Sequence, residues 1–347
     1  MSADIIVIFI FCLFGLAAHA ARQHGWVEWT LRVIIGFSFI AELFTIMVFY
    51  PAHSDITTPW SMCVTWVMAV LTGGMLFKPV RKAISYGLTV PNQILNGQVF
   101  LGLIHRQKPA PLLIADRIFV ADSIPHMNAL WVYVTVLGSL LANINPESMK
   151  VPSISLPFPV PIDSLFSYNF LGLIILSACG VGIIVTRKPK EVLDRLGLVK
   201  PTGKQVLIGI VFIFITAFYD YLWSLYTGTP SSGVGGKLAN YNAGTFAAPG
   251  GGAGNAAFLA LCTGVFAGCG EEILIRGALL PVFGAFPSGL LHGALHGQFG
   301  HAPILILQIT GWSTMMGIVR YYTNTTTTII THVGYNLIFT FLFAFNP

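Results

Sequence analysis

Apolar runs, each about the length of a bilayer crossing, alternate along the chain with short polar segments. A transmembrane helix needs about 20 predominantly apolar residues. Runs of that kind predict helices over 4–20, 30–50, 60–77, 125–143, 165–186, 205–225, 256–279, 288–300, 303–320 and 325–345. The run at 288–300 is short enough to span only partly. No internal repeat and no heptad pattern is visible, so the expected fold is all-α, a polytopic transmembrane bundle of about ten helices. The stretch 83–124 is apolar but interrupted by Pro91, Pro109 and Pro111, and the pattern does not place it. The Gly- and Ser-rich stretch 226–255 reads as a flexible external loop. Ile5 to Ala18 has no basic segment before it and reads as a retained helix, not a cleaved signal.

Composition strengthens this picture. Hydrophobic residues make up 55% of the 347 and charged residues only 9%, against roughly 25% charged in soluble domains. That excludes a disordered chain, a nucleic-acid binder and an ordinary cytosolic enzyme. The formal charge of +5 is therefore read as a topology signal, because Lys and Arg gather in cytoplasmic loops. Lys78, Arg81, Lys82, Arg106, Lys108 and Arg117 follow the third predicted helix, and Arg187, Lys188, Lys190, Arg195, Lys200 and Lys204 follow the fifth. The intervening loops carry Lys150, Lys237 or no basic residue at all. The basic loops are assigned to the cytoplasm, which turns both termini outward. The five cysteines, Cys12, Cys63, Cys179, Cys262 and Cys269, lie in apolar runs without CxxC spacing and read as packing residues.

Ionisable groups inside spans are costly and mark candidate chemistry. Glu42 and Asp220 stand alone in their spans and read as protonated or locally hydrogen-bonded structural carboxyls, with a pore or proton-relay role as the alternative. The last third of the chain is richer. Glu271, Glu272 and Arg276 share one apolar helix, with Glu272 and Arg276 at i and i+4 in the order that favours an ion pair. Glu271 points about 100° away, so one carboxylate is neutralised while the other stays open. A single buried structural network of all three is the alternative. His292 and His296 are i and i+4 on the short helix, with His301 just beyond; they read either as a metal pair or as packing histidines. His332 and Asn336 repeat that spacing on the last helix, where interhelical hydrogen bonding is the alternative role. Glu271, His296 and His332 each lie about eight residues, or about 12 Å, from the cytoplasmic helix ends. One polar cavity opening to the cytoplasm follows. A buried carboxylate, histidines and an amide in such a cavity suit hydrolysis by activated water, and no GxSxG nucleophile motif is present.

Glu-Glu-x-x-x-Arg at 271–276, the helix ending in His296, and His-x-x-x-Asn at 332–336 resemble the CAAX-protease and bacteriocin-processing family (CPBP, or Abi), which includes type II CAAX prenyl endopeptidases. Gly317-Ile-Val-Arg-Tyr-Tyr-Thr-Asn-Thr before Thr-Ile-Ile-Thr-His332 resembles the family's approach to that histidine, and Arg195-Leu-Gly-Leu-Val-Lys-Pro resembles it more weakly. The resemblance covers about 190–345. It divides the chain into N-terminal transmembrane helices of unknown role, 1–186, and a catalytic transmembrane core, 187–347. It implies an intramembrane endopeptidase that is glutamate-type and needs no metal cofactor. Glu271 falls on the general base, acting with His296 on the catalytic water, and His332 and Asn336 fall on the oxyanion side. Glu272 and Arg276 fall on the supporting pair. In the family's usual second motif, Phe-x-x-x-His, a Phe stands where this chain has His292, and the spacing from Glu271 to His296 is tighter here.

The expected partners are a peptide or protein substrate, in one form lipid-modified, and membrane lipids, with no nucleic acid. The expected location is an integral, multi-pass membrane protein whose site opens to the cytoplasm. A zinc protease using Glu271, His292, His296 and His332 is the alternative within the enzymes. A scaffold, immunity protein or transporter is the alternative outside them.

Overall fold

A computed structural model describes residues 3–53, 58–95, 119–144, 165–227, 253–296 and 303–345. The loop 226–255, apart from its ends, falls outside the described residues, as do Arg106, Lys108, Arg117, Lys150, Lys237 and His301. Twelve helices account for nearly all of the described chain, which holds no β-strand. They are α1 (Ala3–Ala20), α2 (Gly25–Phe44), α3 (Pro59–Gly74), α4 (Lys78–Leu95), α5 (Ile124–Ala142), α6 (Leu165–Gly180), α7 (Pro189–Leu196) and α8 (Gly203–Thr227). Helix α9 starts as Ala253–Glu272, widens into a π-helical Ile273–Leu279 and closes with Leu280–Phe283; α10 (Ala285–Leu295), α11 (Pro303–Tyr322) and α12 (Thr325–Phe345) follow.

The burial pattern is the reverse of a water-soluble bundle. Phe37, Ile40, Phe44, Val70, Phe214 and Phe218 are more than half exposed, while Glu272, Arg276, Thr327, Thr328 and Thr331 are fully enclosed. An apolar exterior, with charged and hydroxyl groups enclosed among the apolar core, suits hydrocarbon as the solvent. Among the described residues, Gly25–Ala52, Ile124–Ala142 and Gly203–Trp223 are long and apolar enough to cross a membrane. Pro59–Gly74 and Lys78–Thr89, bent 116° from one another, add a fourth span if taken as one broken crossing. The ten expected spans are thus reduced to three or four by that criterion. The helices of the last third carry polar and small residues inward, and α10 has only 11 residues.

Two helices arise where the apolar pattern predicted none. Helix α4 occupies the start of the unplaced stretch, and α7 lies inside the basic loop after α6. In α7, Glu191 accepts from the Lys188 backbone N–H at the N-terminus, and Gly197 (φ 72°) ends the helix in a left-handed conformation suited to glycine. This short element is a strap onto the last third. Thr325 donates to the Leu196 carbonyl at 2.6 Å, and Thr326 donates to that of Val199 at 2.8 Å. Arg195 donates to the Gly277 carbonyl at 3.1 Å, on the widened turn of α9.

Small residues set how closely the inner helices approach. A side chain at Gly293 of α10 would lie 2.6 Å from the Ile306 carbonyl of α11, and one at Gly289 would lie 3.0 Å from that of Thr310. On α9, Gly264 and Gly268 face Val333 and Leu337 of α12 in the same way. This is the small-xxx-small packing by which helices associate where hydrocarbon supplies no hydrophobic drive.

Candidate active site

The close approaches of α9 to α12 and of α10 to α11 bring the polar side chains of four helices to one place. Arg276 Nη1 lies 2.8 Å from Glu272 Oε1, and both side chains are wholly buried. The i, i+4 ion pair read from the sequence is therefore present. Arg276 also donates to Ser313 of α11, at 2.9 Å to Oγ and 3.2 Å to the carbonyl, and its guanidinium stands 5.4 Å from the Trp312 ring centre. Buried ions need such further partners, because Coulomb attraction alone rarely offsets desolvation.

Glu271 has a different environment. Its Oε2 is 2.9 Å from His292 Nε2, and His292 Nδ1 is 3.0 Å from Ser313 Oγ. Hydrogen positions follow from this network. Arg276 donates to Ser313, the Ser313 hydroxyl donates to His292 Nδ1, and His292 donates its Nε2–H to Glu271. The chain of donors holds one neutral tautomer of His292, whose side chain is 2% exposed. Glu271 keeps 18% exposure, so it is the accessible carboxylate of the pair.

His332 of α12 lies between the two glutamates. Its Nδ1 is 2.9 Å from Glu272 Oε1 and its Nε2 is 4.0 Å from Glu271 Oε2. The first is a hydrogen bond, in which Nδ1–H donates to the carboxylate. The second is too long for one and is a separation that a single water spans. Trp312 closes the other side of His332, with ring centres 4.8 Å apart.

His296 stands at the end of α10. The helix predicted over 288–300 ends at Leu295, and His296 is the residue just past it, with φ −82° and ψ 38°. Its Nδ1 is tied to the His292 carbonyl at 2.8 Å, and the two rings are 4.9 Å apart. His292, and not His296, makes the direct bond to Glu271. Ligand atoms of Glu271, His292 and His296 nevertheless lie within 4.8 Å of one another, a spacing that suits a divalent cation. His332 approaches this trio through Glu271.

Asn336 lies one turn beyond His332 on α12 and is half-buried. Among the described residues no hydrogen bond engages its amide. Beside it, Tyr335 donates to Asp220, which also accepts from Gln308 at 2.8 Å. Glu42 accepts from Thr72 at 3.1 Å. Both isolated carboxyls are thus hydrogen-bonded locally, as their isolation in the sequence implied. The residues missed were Ser313 and Trp312. The available signal was a short polar interruption, Thr310 to Thr314, within the apolar run of α11.

No curated protein and no solved structure matches the chain. A family model does match, over residues 253–338, and its description is type II CAAX prenyl endopeptidase Rce1-like. The matched segment runs from α9 into α12 and includes Glu271, Glu272, Arg276, His292, His296, Ser313, His332 and Asn336. The last part of the chain is thus similar to type II CAAX prenyl endopeptidases of the Rce1-like kind, and the apolar exterior of the helices suits a membrane protein.

Proposed function

We propose that the protein is an intramembrane endopeptidase in which Glu271 is the general base for an attacking water. The observation that carries this reading is the asymmetry of the two glutamates. Glu272 is neutralised by Arg276 at 2.8 Å, whereas Glu271 is hydrogen-bonded to His292, has no arginine paired with it among the described residues, and remains accessible. An accessible carboxylate in a largely dehydrated bundle is suited to proton transfer.

The reaction balances as follows. Water sits between Glu271 Oε2 and His332 Nε2, within reach of His296. Its oxygen bonds to the scissile carbonyl carbon, Glu271 takes one proton, and the carbonyl electron pair moves to oxygen. Asn336 donates to that oxyanion. Collapse breaks the C–N bond, and Glu271 returns its proton to the departing amine. Glu272 holds His332 by Nδ1, and the Arg276–Ser313–His292 chain aims the Nε2–H that supports ionised Glu271. The basic segment Arg187–Lys204 beside α7 supports an opening on the cytoplasmic side. The substrate class is a peptide, with prenylated CAAX sequences and leader peptides as forms to test.

A second reading, a zinc protease, is favoured by the 4.8 Å grouping of Glu271, His292 and His296. His296 and His332 also engage Nδ1 with an acceptor, the arrangement that presents Nε2 to a metal. A zinc held by Glu271, His292 and His296, with His332 beside them, would supply an acidified water. Peptide-library cleavage by detergent-purified protein, including farnesylated CAAX peptides, tests both readings. Turnover lost in Glu271→Gln but indifferent to chelator supports the general-base reading. Turnover lost to chelator and restored by zinc selects the metal. Cleavage unchanged in Glu271→Gln, or absent throughout from folded wild type, overturns the proposal.

A further inference from the structure

A cavity of about 390 Å³ opens between α1, α5, α6, α9 and α10. None of Glu271, His292, His296, His332 and Asn336 lines it. One wall is instead Leu274, Ala278, Leu291 and Leu295, on α9 and α10, two of the four helices that bear the site. Ile8, Phe11, Val132, Val136, Leu173 and Leu176 make the opposite walls apolar. The volume is within the range of about 300–1,000 Å³ usual for ligand pockets.

Every charged or imidazole side chain in the lining is basic. Arg22 and His19 come from the end of α1, His126 from the first turn of α5, and Arg187 and Arg195 from the segment after α6. Arg22, Arg187 and Arg195 all lie close enough to act on both His19 and His126, so these five groups form one cluster. Arg187 and Arg195 are positioned by donating to the Val181 and Gly277 carbonyls. Arg22 is exposed, and no ion pair engages it among the described residues.

One polar side chain lining the cavity keeps an unpaired atom. Asn128 is 4% exposed, and its Nδ2 donates to the Phe14 carbonyl at 3.3 Å, which leaves Oδ1 as an acceptor without a donor. A buried unsatisfied acceptor costs about 1–3 kcal/mol, and a ligand hydroxyl satisfies it.

From the apolar walls, the cationic end and the orphaned acceptor, we infer that this cavity binds a single-chain glycerophospholipid. Its phosphate meets the arginine cluster, a glycerol hydroxyl donates to Asn128 Oδ1, and its acyl chain lies along α1, α5 and α6. Arg is suited to phosphate by its forked donors, and the apolar walls exclude a free phosphate ester without a chain. A fatty acid anion supplies the charge but no hydroxyl, and a monoacylglycerol supplies hydroxyls but no charge.

Native mass spectrometry of the full chain in a neutral detergent, titrated with oleoyl lysophosphatidic acid, oleate or monoolein, tests the inference. One lysophosphatidic acid is expected to bind per chain, more tightly than either other probe. Arg22→Gln, an exposed change outside the site around Glu271, is expected to weaken it about tenfold. Val132→Trp, which fills the tail space, is expected to abolish it, with folding of both variants checked by thermal unfolding. Oleate or monoolein binding as tightly as lysophosphatidic acid overturns the inference. So does unchanged affinity in folded Arg22→Gln, or no saturable binding by folded wild type.

Discussion

Replacing Arg276 by Met tests the central electrostatic premise, that this arginine is committed to Glu272. The substitution keeps much of the side-chain length and removes the charge. At 2.8 Å and an effective dielectric of about 20, the lost attraction is about 6 kcal/mol. Desolvation of the guanidinium is relieved at the same time, and removal of one partner of a buried pair typically costs about 3–5 kcal/mol net. Two donors to Ser313 are lost as well. Arg276→Met is therefore expected to lose about 3–5 kcal/mol in reversible unfolding by SDS from mixed micelles. Glu272→Gln together with Arg276→Met removes both charges yet keeps an acceptor for His332 Nδ1. The double variant is expected to recover at least half of that loss. A single variant within about 1 kcal/mol of wild type, or a double variant no more stable than the single, would refute the argument. The first result would mean that Glu272 is already neutral without Arg276, and the second that packing and Ser313, not charge, set the cost.

Two further outcomes follow from the same contacts. Ser313→Ala removes the hydroxyl that donates to His292 Nδ1; turnover is expected to fall about 10–100-fold with little change in unfolding, read from kcat on any cleaved peptide. Gly293→Ala places a methyl 2.6 Å from the Ile306 carbonyl, which is backbone and yields little. A loss of about 1–3 kcal/mol in the same unfolding assay is expected, and activity should fall because α10 carries His292.

Much of this arrangement is legible in the sequence where the constraint is local. The apolar runs predict helices because each must satisfy its own backbone in hydrocarbon, and most are found within a few residues of their expected bounds. The Glu272–Arg276 pair follows from i, i+4 spacing alone, and that pairing leaves Glu271 as the open carboxylate. Two helices escaped for a local reason too. Helices α4 and α7 are amphipathic and carry Lys and Arg, so no apolar run marks them.

Which histidine meets Glu271 was decided only by the tertiary structure. Sequence spacing put His292 and His296 on one helical face, and the resemblance to the family assigned the catalytic water to Glu271 and His296. The chain leaves the helix at Leu295, so His296 is a terminal residue bonded to the His292 carbonyl, and His292 turns to Glu271. Ser313 entered the network through the close contact of α10 and α11 that Gly289 and Gly293 permit. His332 reached both glutamates because Gly264 and Gly268 let α9 lie against α12. The spacing along one helix is fixed by its 3.6-residue turn. The rotation of one helix against another is fixed by which small residues meet, and that information is spread over distant parts of the chain.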